Sequence, residues 1–520
     1  MDTVVVIRLG RMGDVTLTAP TTKNLRFLYP NAKILFVTRR RYSPLAAMLP
    51  GVDQVLAFPD NGSYFDLIKL SSEIDEYNPD LIVDLHKNFR SFHISTMSHA
   101  PFKVVYHKRR KEREDAVTSK NFVTPVPHTI DLYNAIIDQL HGVRLAHRPD
   151  LVLPDDALSG AKAGRDGVAL VPGASSPVKA WPSERFVAIA ERIIFDFKQS
   201  VHVFLGEAEA SLQDHFRRLP QEYLTFYHNH PLNEIAVVLS RRRLTLTNDS
   251  GLMHVSSAVG TPTTALFGPT HEQLGFYPRG IHDTVLATSE QCRPCSLHGN
   301  KACSREEQFC FKLLTVDMVY EKVAARLDAL SLNPAVFIDR DGTLIVDKHY
   351  LADPAKIAFF PGALEAVGRL KQAGYKIVVI SNQSGVARAF FTVETVEKVH
   401  EELRRQMQDA QAEPDDIRFC PHLPDGDDPR YTGECDCRKP KAGMLEAAAV
   451  KFGLDVKRSI VIGDKYADIQ CGKVLGARSL LVRTGEGNAT EQELPAHPHL
   501  RPYHIDDGLA GAVDYVLGRR

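Results

Sequence analysis

The chain is short of several things, and each shortage excludes something. Cysteine is sparse: there are eight in 520 residues, seven of them in two tight groups. That excludes a disulfide framework and suits metal ligation in a reducing compartment. An excess of charge of one sign is missing, since 63 Lys+Arg stand against 64 Asp+Glu for a net charge of −1. A general nucleic-acid binder would carry a basic excess, so no nucleic-acid partner is expected. No apolar run reaches the length of about 18 residues that a membrane-crossing helix needs. The start, Met1-Asp2-Thr3 and then Val4–Ile7, lacks the basic residues and long apolar core of a secretory signal. The expected location is therefore the cytoplasm. What is present is ordinary for a globular chain, with 44% hydrophobic and 24% charged residues. At roughly 150 residues per domain, about three domains fit.

A short β-branched run, a turn and an amphipathic stretch recur along the sequence. Strands are expected at Val4–Leu9, Lys33–Val37, Leu81–Leu85, Val168–Pro172, Val201–Leu205, Leu244–Asn248, Thr263–Phe267, Val336–Asp339, Lys376–Ser381, Ser459–Gly463 and Ser479–Val482. Several are apolar throughout, as parallel strands covered on both faces are. Alternation with helices points to doubly wound α/β domains. The Asp-, Ala- and Gly-rich stretch Pro154–Gly167 and the segment Ser331–Pro334 mark boundaries, giving domains at 1–155, 156–330 and 334–520. The tail beyond Gly485 is weakly patterned.

In the last domain an apolar strand, Val336-Phe337-Ile338, delivers Asp339 and Asp341 just before Gly342. Ligands bind at such strand ends in open α/β sheets. One carboxylate there can attack phosphorus and the other can protonate the departing oxygen. Their charges call for a cation such as Mg²⁺. Ser381 ends another strand, Arg438-Lys439 supplies cations, and Asp464 ends a third strand with Asp468 one turn on. These pieces, in this order, resemble the haloacid dehalogenase superfamily of phosphatases. The resemblance implies Asp339 as nucleophile, Asp341 as general acid/base, and Ser381 and Lys439 as phosphoryl stabilisers. It also implies Mg²⁺ held by Asp339, Asp464 and the backbone carbonyl of Asp341.

Within this domain lie Cys420-Pro421-His422 and Cys435-Asp436-Cys437, twelve residues apart. Three thiolates and an imidazole complete a tetrahedral Zn²⁺ shell with no open position, which makes the site structural. Because Cys437 directly precedes Arg438-Lys439, such a zinc would also fix where those cations point. Residues 334–487 look like the D-glycero-D-manno-heptose 1,7-bisphosphate 7-phosphatases. The histidinol-phosphate phosphatases, which share the zinc loop, are the competing family. By the resemblance, Asp347, His349, Tyr350, Asn382, Gln383, Ser384, Arg388, Arg438 and Lys465 line the sugar-phosphate pocket.

In the first two thirds, Gly10-Arg11-Met12-Gly13-Asp14 follows a strand and opens a helix. A helix N-terminus there favours an anion, although Asp14 is equally suited to cap the helix. Val171–Ser176 with Lys179, and Leu246–His254, are further strand-to-helix loops able to seat a diphosphate. Trp181 and His254 also suit a core. Together these stretches resemble glycosyltransferase family 9, the lipopolysaccharide heptosyltransferases, over residues 3–328. The resemblance implies a GT-B architecture of two Rossmann-like domains, an acceptor domain and then a donor domain, with an inverting, metal-independent transfer between them. It makes Asp14 the base, Lys179, Asp249, Ser250, Gly251 and His254 the donor diphosphate site, and Glu209 a nucleoside contact. ADP-heptose is the expected donor because the neighbouring domain looks like a heptose-pathway phosphatase.

Cys292, Cys295, Cys303 and Cys310 form a second cysteine quartet, suited to structural Zn²⁺ or iron or to reduced, partly buried thiols. Lys108-Arg109-Arg110-Lys111-Glu112-Arg113 is the one dense basic run. It is either a solvated loop or a contact with a phosphorylated lipopolysaccharide inner-core acceptor or the inner-membrane surface. The expectation is a bifunctional enzyme acting on heptose bisphosphate and on a nucleotide-heptose. The alternative is a phosphatase joined to a non-catalytic sugar-nucleotide or lipid-binding module.

Overall fold

A computed structural model describes residues 1–120, 122, 126–157 and 164–518. Part of the expected first boundary, 158–163, lies outside the described residues. The chain divides into two compact units, Met1–Ala329 and Leu330–Arg520. The first unit holds two sheets. One contains β1 (Thr3–Ile7), β2 (Lys33–Arg39), β3 (Gln54–Phe58), β4 (Leu81–Asp84) and β5 (Phe102–Val105), in the order β3-β2-β1-β4-β5. The other contains β6 (Asp166–Val171), β7 (Val201–Leu205), β8 (Leu224–His228), β9 (Arg242–Asn248), β10 (Thr263–Phe267) and β11 (Thr284–Ala287), in the order β11-β10-β9-β6-β7-β8. The second unit holds β12 (Ala335–Asp339), β13 (Lys376–Asn382), β14 (Asp416–Cys420), β15 (Ile460–Gly463), β16 (Arg478–Val482) and β17 (His504–Asp506), in the order β14-β13-β12-β15-β16-β17. Neighbouring strands run parallel, as in the β1–β4, β6–β9 and β12–β15 pairs.

Each sheet reverses its winding once: between β1 and β4, between β6 and β9, and between β12 and β15. Connections leave in opposite directions at such a point, so a crevice opens beyond the strand ends. Gly10–Asp14 follows β1, Lys179 follows β6, Asp249 follows β9, Asp339 ends β12 and Asp464 follows β15. The winding of the second and third sheets therefore brings chemically equipped loops together in pairs.

The strands whose runs are legible in the sequence are the interior ones. The six others, β3, β5, β8, β11, β14 and β17, are the six sheet edges. Interior strands such as β1 and β12 are buried at every position, whereas β5 and β11 have no buried residue. One covered face demands fewer apolar residues, so the pattern fades at the edges. The weakly patterned tail is structured: β17 pairs with β16, and Leu509, Ala512 and Val513 of the last helix join Val336 and Ile338 in one core.

In the first unit one core runs through both sheets, from Val4 and Phe36 to Ala169 and Phe204. The helices Met12–Thr16 and Gly251–Ala258 meet where it reaches the surface. A Cβ on Gly13 would stand 2.6 Å from His254 Cδ2, and one on Gly251 would stand 2.9 Å from Met12 Sδ. Close approach is thus the reason for glycine at both positions. Trp181 is core, with its Nε1 donating to the Leu314 carbonyl at 2.9 Å.

Burial in this unit also keeps histidines uncharged. It holds His86 and His128 down to about 3, His202 and His254 down to about 4, and lowers His298 as well. The unfolded chain binds protons that these groups refuse when folded, so stability rises with pH across this window. For His254, a fall from 6.5 to about 4 corresponds to about 3 kcal/mol. Calorimetry of the full chain should show the transition of the Met1–Ala329 unit moving to lower temperature as pH drops from 6.5 to 4. A flat profile would contradict this protonation scheme.

Candidate active sites

In the first unit a cavity of about 800 Å³ opens at the strand ends and is lined by Arg8, Asp14, Lys179, Asp249, Ser250, Gly251 and His254 among others. Asp14 stands on the short helix after β1, 2.6 Å from the Arg8 guanidinium, and accepts from the Arg11 N–H at 3.3 Å. Burial pushes the Asp14 carboxyl up, but Arg8 and the Arg11 N–H outweigh it and hold the group below the usual carboxylate range. Arg8 is anchored in turn, donating to the Leu85 carbonyl at 2.7 Å. Sequence reasoning passed over Arg8. Its signal was a lone cation after the wholly apolar β1.

Across the cavity, Lys179 Nζ lies 2.8 Å from Asp249 Oδ2, and Thr270 donates to the same oxygen at 2.8 Å. Ser250 precedes the first turn of the Gly251–Ala258 helix, so unpaired backbone N–H groups face this side. His254 is buried, its Nδ1 lacks a hydrogen-bond partner, and burial leaves it uncharged at neutral pH. The cavity thus has an anionic side at Asp14 and an anion-binding side around Lys179. Glu209 does not line it; its carboxylate packs against Gly173 and Gly206 instead.

The basic run behaves differently along its length. Arg113 is buried, donates to Thr129 Oγ1 at 3.0 Å and lies over the Phe276 ring. Lys108 and Arg110 line the cavity, while Arg109 pairs with Glu112 at its exposed edge.

In the second unit the carboxylates of Asp339, Asp464 and Asp468 are buried with their oxygens within 4.8 Å of one another. Lys439 Nζ pairs with Asp339 and lies 2.6 Å from Asp468 Oδ1. Both ends of the Asn382 side chain hold the Lys439 backbone, donating to its carbonyl and accepting from its N–H at 3.0 Å each. Asn382 therefore places Lys439, with one N–H and one lone pair of its amide committed to that backbone.

Burial raises the Asp339 carboxyl well above its usual range; Lys439 opposes this, and Asp468, Asp464 and Asp341 add to it. Asp464 is pushed up to about 7, by burial first and Asp468 second. Its Oδ1 is buried without a hydrogen-bond partner. Three buried carboxylates, two of them paired with one lysine and the third with an unpaired oxygen, form a donor set that fits a divalent, oxygen-seeking cation.

Asp341 lies outside that group. Its carboxylate forms an ion pair of 2.8 Å with the buried Arg340 and accepts from Ser381 at 3.1 Å and Gln383 at 3.0 Å. Arg340 also meets His400 Nε2 at 2.9 Å. The sequence assigns no chemical role to Asp468, Arg340 or His400. Asp468 stood one turn after Asp464 and was legible; the other two come together only through folding.

Around this centre, Asp347 Oδ1 accepts from the His349 N–H, and Lys465 lies 4.0 Å from Asp347 and 3.0 Å from Glu486. Tyr350 meets Phe390 edge to face. Ser384 begins the short helix that leads to Arg388, whose Nε is buried without a partner.

The expected zinc ligands converge. Cys420, Cys435 and Cys437 sulfurs lie 3.0–3.6 Å apart, and His422 Nδ1 is 3.4 Å from Cys437 and 3.7 Å from Cys420. Metal–sulfur bonds of about 2.3 Å would place tetrahedral sulfurs about 3.8 Å apart, so the set fits Zn²⁺ closely. The Cys437 thiol is held down to about 5, chiefly by its hydrogen bond with Cys420 against the pull of burial. Arg438 donates to the His422 carbonyl at 3.2 Å. Among the described residues only this set and the three aspartates converge to ligand spacing. The quartet Cys292, Cys295, Cys303 and Cys310 does not: Cys295 and Cys303 sulfurs contact backbone carbonyls instead.

Residues 67–304 match the family described as glycosyltransferase family 9 (heptosyltransferase), and residues 436–512 match a HAD-hydrolase-like family. A D-glycero-beta-D-manno-heptose-1,7-bisphosphate 7-phosphatase of Photorhabdus laumondii is 40% identical over 166 residues, which cover 32% of this chain and 88% of the relative. The same-named protein of Haemophilus influenzae is 38% identical, over 36% of this chain and 92% of the relative. The chain belongs to the heptose-bisphosphate 7-phosphatase family. It joins that domain to a family 9 glycosyltransferase domain, and is an enzyme of two activities. The family 9 glycosyltransferase structure from Veillonella parvula covers 63% of this chain and 98% of its own, with a TM-score of 0.52 and 22% identity, and shares the fold.

Removing one ligand of the zinc set should separate metal from scaffold. In the full chain, Cys437→Ser should take zinc from one ion per chain to none. Losing at least about 3 kcal/mol would lower the transition of the Leu330–Arg520 unit by about 6–12 °C. Unchanged zinc content would remove Cys437 from the set.

Proposed function

We propose that the second unit hydrolyses the 7-phosphate of D-glycero-β-D-manno-heptose 1,7-bisphosphate and that the first transfers heptose from ADP-heptose to a lipopolysaccharide inner-core acceptor. The observation that carries this is Lys439 set between Asp339 and Asp468 at a sheet reversal, in a chain of which 166 residues are 40% identical to a phosphatase of that name. The location that fits is the cytoplasmic side of the inner membrane. Among the described residues no helix is long and apolar enough to cross a membrane.

In the phosphatase, Asp339 attacks phosphorus and the bond to the sugar oxygen breaks. Asp341 gives that oxygen its proton. Asp341 then takes a proton from the water that attacks the aspartyl phosphate, which frees phosphate and restores Asp339. Lys439 and Ser381 steady the transferring group, while Asp347, His349, Tyr350, Gln383, Ser384, Arg388, Arg438 and Lys465 surround the sugar and its second phosphate. Asp339, Asp464 and the Asp341 carbonyl, with Asp468 beside them, would hold Mg²⁺, which supplies charge neutralisation at the phosphoryl oxygens when bound. The zinc set is structural: it fixes the loop that carries Arg438 and Lys439.

In the transferase, Asp14 takes the proton of the acceptor hydroxyl as its oxygen attacks the anomeric carbon of heptose. The nucleoside diphosphate departs toward Lys179 and the N–H groups at Ser250 and Gly251, with inversion at the sugar. Arg8 keeps Asp14 ionised and ready to accept that proton.

Two substitutions test the assignments together. Asp339→Asn should lower phosphate release from the bisphosphate by about 10³-fold or more while zinc content and heptosyl transfer persist. Asp14→Asn should lower transfer from ADP-heptose by about 10²–10⁴-fold and leave phosphate release intact. Full activity in either variant would refute its assigned role.

A further inference from the structure

The first unit carries an aromatic face that neither reaction uses. Phe65 is 81% exposed, Phe89 71%, Phe92 66% and Tyr64 54%, in a chain with 8% aromatic residues. These residues stand on two helices, Tyr64–Asp75 and Phe89–Met97, whose ends meet where the Tyr64 and His93 rings pack edge to face at 5.2 Å. The inner sides of both helices are already in the core: Leu67, Leu70, Ile74 and Ile94 pack with Ile7 and Leu35. The exposed rings are therefore a second apolar face, and rings clustered in this way mark an interaction surface.

Charge identifies the partner. Residues 86–113 contain eight Lys and Arg and a single Glu, in a chain whose net charge is −1. This stretch runs from the aromatic face to the cavity: Phe89 adjoins Arg90, and Arg90, Lys108 and Arg110 line the cavity that holds Asp14. Aromatic rings settle at the headgroup level of a bilayer, and Lys and Arg beside them meet anionic lipid phosphates. A second copy docked through a two-fold contact would set this cationic rim against itself, like charge on like.

We propose that the helices Tyr64–Asp75 and Phe89–Met97 seat the enzyme on an anionic bilayer surface, with Phe65, Phe89 and Phe92 entering the headgroup layer. The surface holds the cavity mouth where a lipid-anchored acceptor arrives. That last clause rests on the transferase function proposed above, whereas the binding itself does not.

The test is co-sedimentation of the full chain with vesicles of phosphatidylethanolamine and phosphatidylglycerol. The parent protein should sediment with them, and Phe65→Ser/Phe89→Ser/Phe92→Ser should bind at least about tenfold more weakly. Lys87→Glu/Lys103→Glu, at exposed positions outside the cavity lining, should also weaken binding, and added salt should do the same. The triple-serine variant should keep the parent's phosphate release and its transfer to a delipidated, soluble acceptor. No vesicle binding by the parent, or undiminished binding by the triple-serine variant, would overturn the proposal. So would a parent dimer in light scattering that the same variant abolishes. If the parent transfers nothing to the soluble acceptor, the transferase function fails while the vesicle result still stands or falls by itself.

Discussion

The ammonium of Lys439 lies between Asp339 and Asp468, and the three groups are almost wholly removed from solvent. Burial disfavours charge on these groups, and at Asp339 the nearby Lys439 opposes that effect. Burial lowers the proton affinity of Lys439 and the two aspartates raise it further, leaving the amine firmly protonated. Taking away one partner would leave a buried charge uncompensated, at about 3–5 kcal/mol. Much of the surrounding loop structure keeps this lysine in place. Asn382 grips its backbone from the end of β13, and Cys437 ties the same loop into the zinc set two residues before it.

The transferase unit solves a similar problem with different residues. Arg8 and Asp14 form one opposed pair on the β1 side of the cavity, and Lys179 and Asp249 form another on the β9 side. In both units the charged groups sit at the point where sheet winding reverses, because only there do two loops leave neighbouring strands in opposite directions. The surrounding core is apolar, so the cavity takes its polarity from the strand-end and loop residues that line it, Lys108 and Arg110 among them. Gly13 and Gly251 allow the loops from the two sheets to approach within van der Waals contact.

The sequence alone revealed the interior strands and most of the chemically equipped loops, since a strand buried on both faces must be apolar and must end where polar residues begin. Edge strands escaped because half-exposed residues follow no strict pattern; β5 and β11 have no buried residue. The set of Cys420, His422, Cys435 and Cys437 was legible because its members lie close in sequence. The second quartet had comparable spacing, yet the Cys295 and Cys303 thiols turn to local carbonyls, which spacing cannot foretell. Asn382 looked like a pocket residue because it stands at a strand end, but its amide turns to a backbone 57 residues away. Partners that distant in sequence, like Arg340 with His400, are set by tertiary packing and leave no local trace.

The proposed nucleophile on β12 makes a definite chemical demand, namely that phosphate passes through a covalent acyl phosphate at residue 339. Borohydride reduces an acyl phosphate to an alcohol and leaves free carboxylates alone. Quenching the enzyme during turnover of the heptose bisphosphate, reducing it and mapping its peptides by mass spectrometry reads that acyl phosphate directly. Homoserine at position 339, dependent on substrate, is the result predicted; an unmodified aspartate there beside a reduced carboxylate elsewhere would contradict the account.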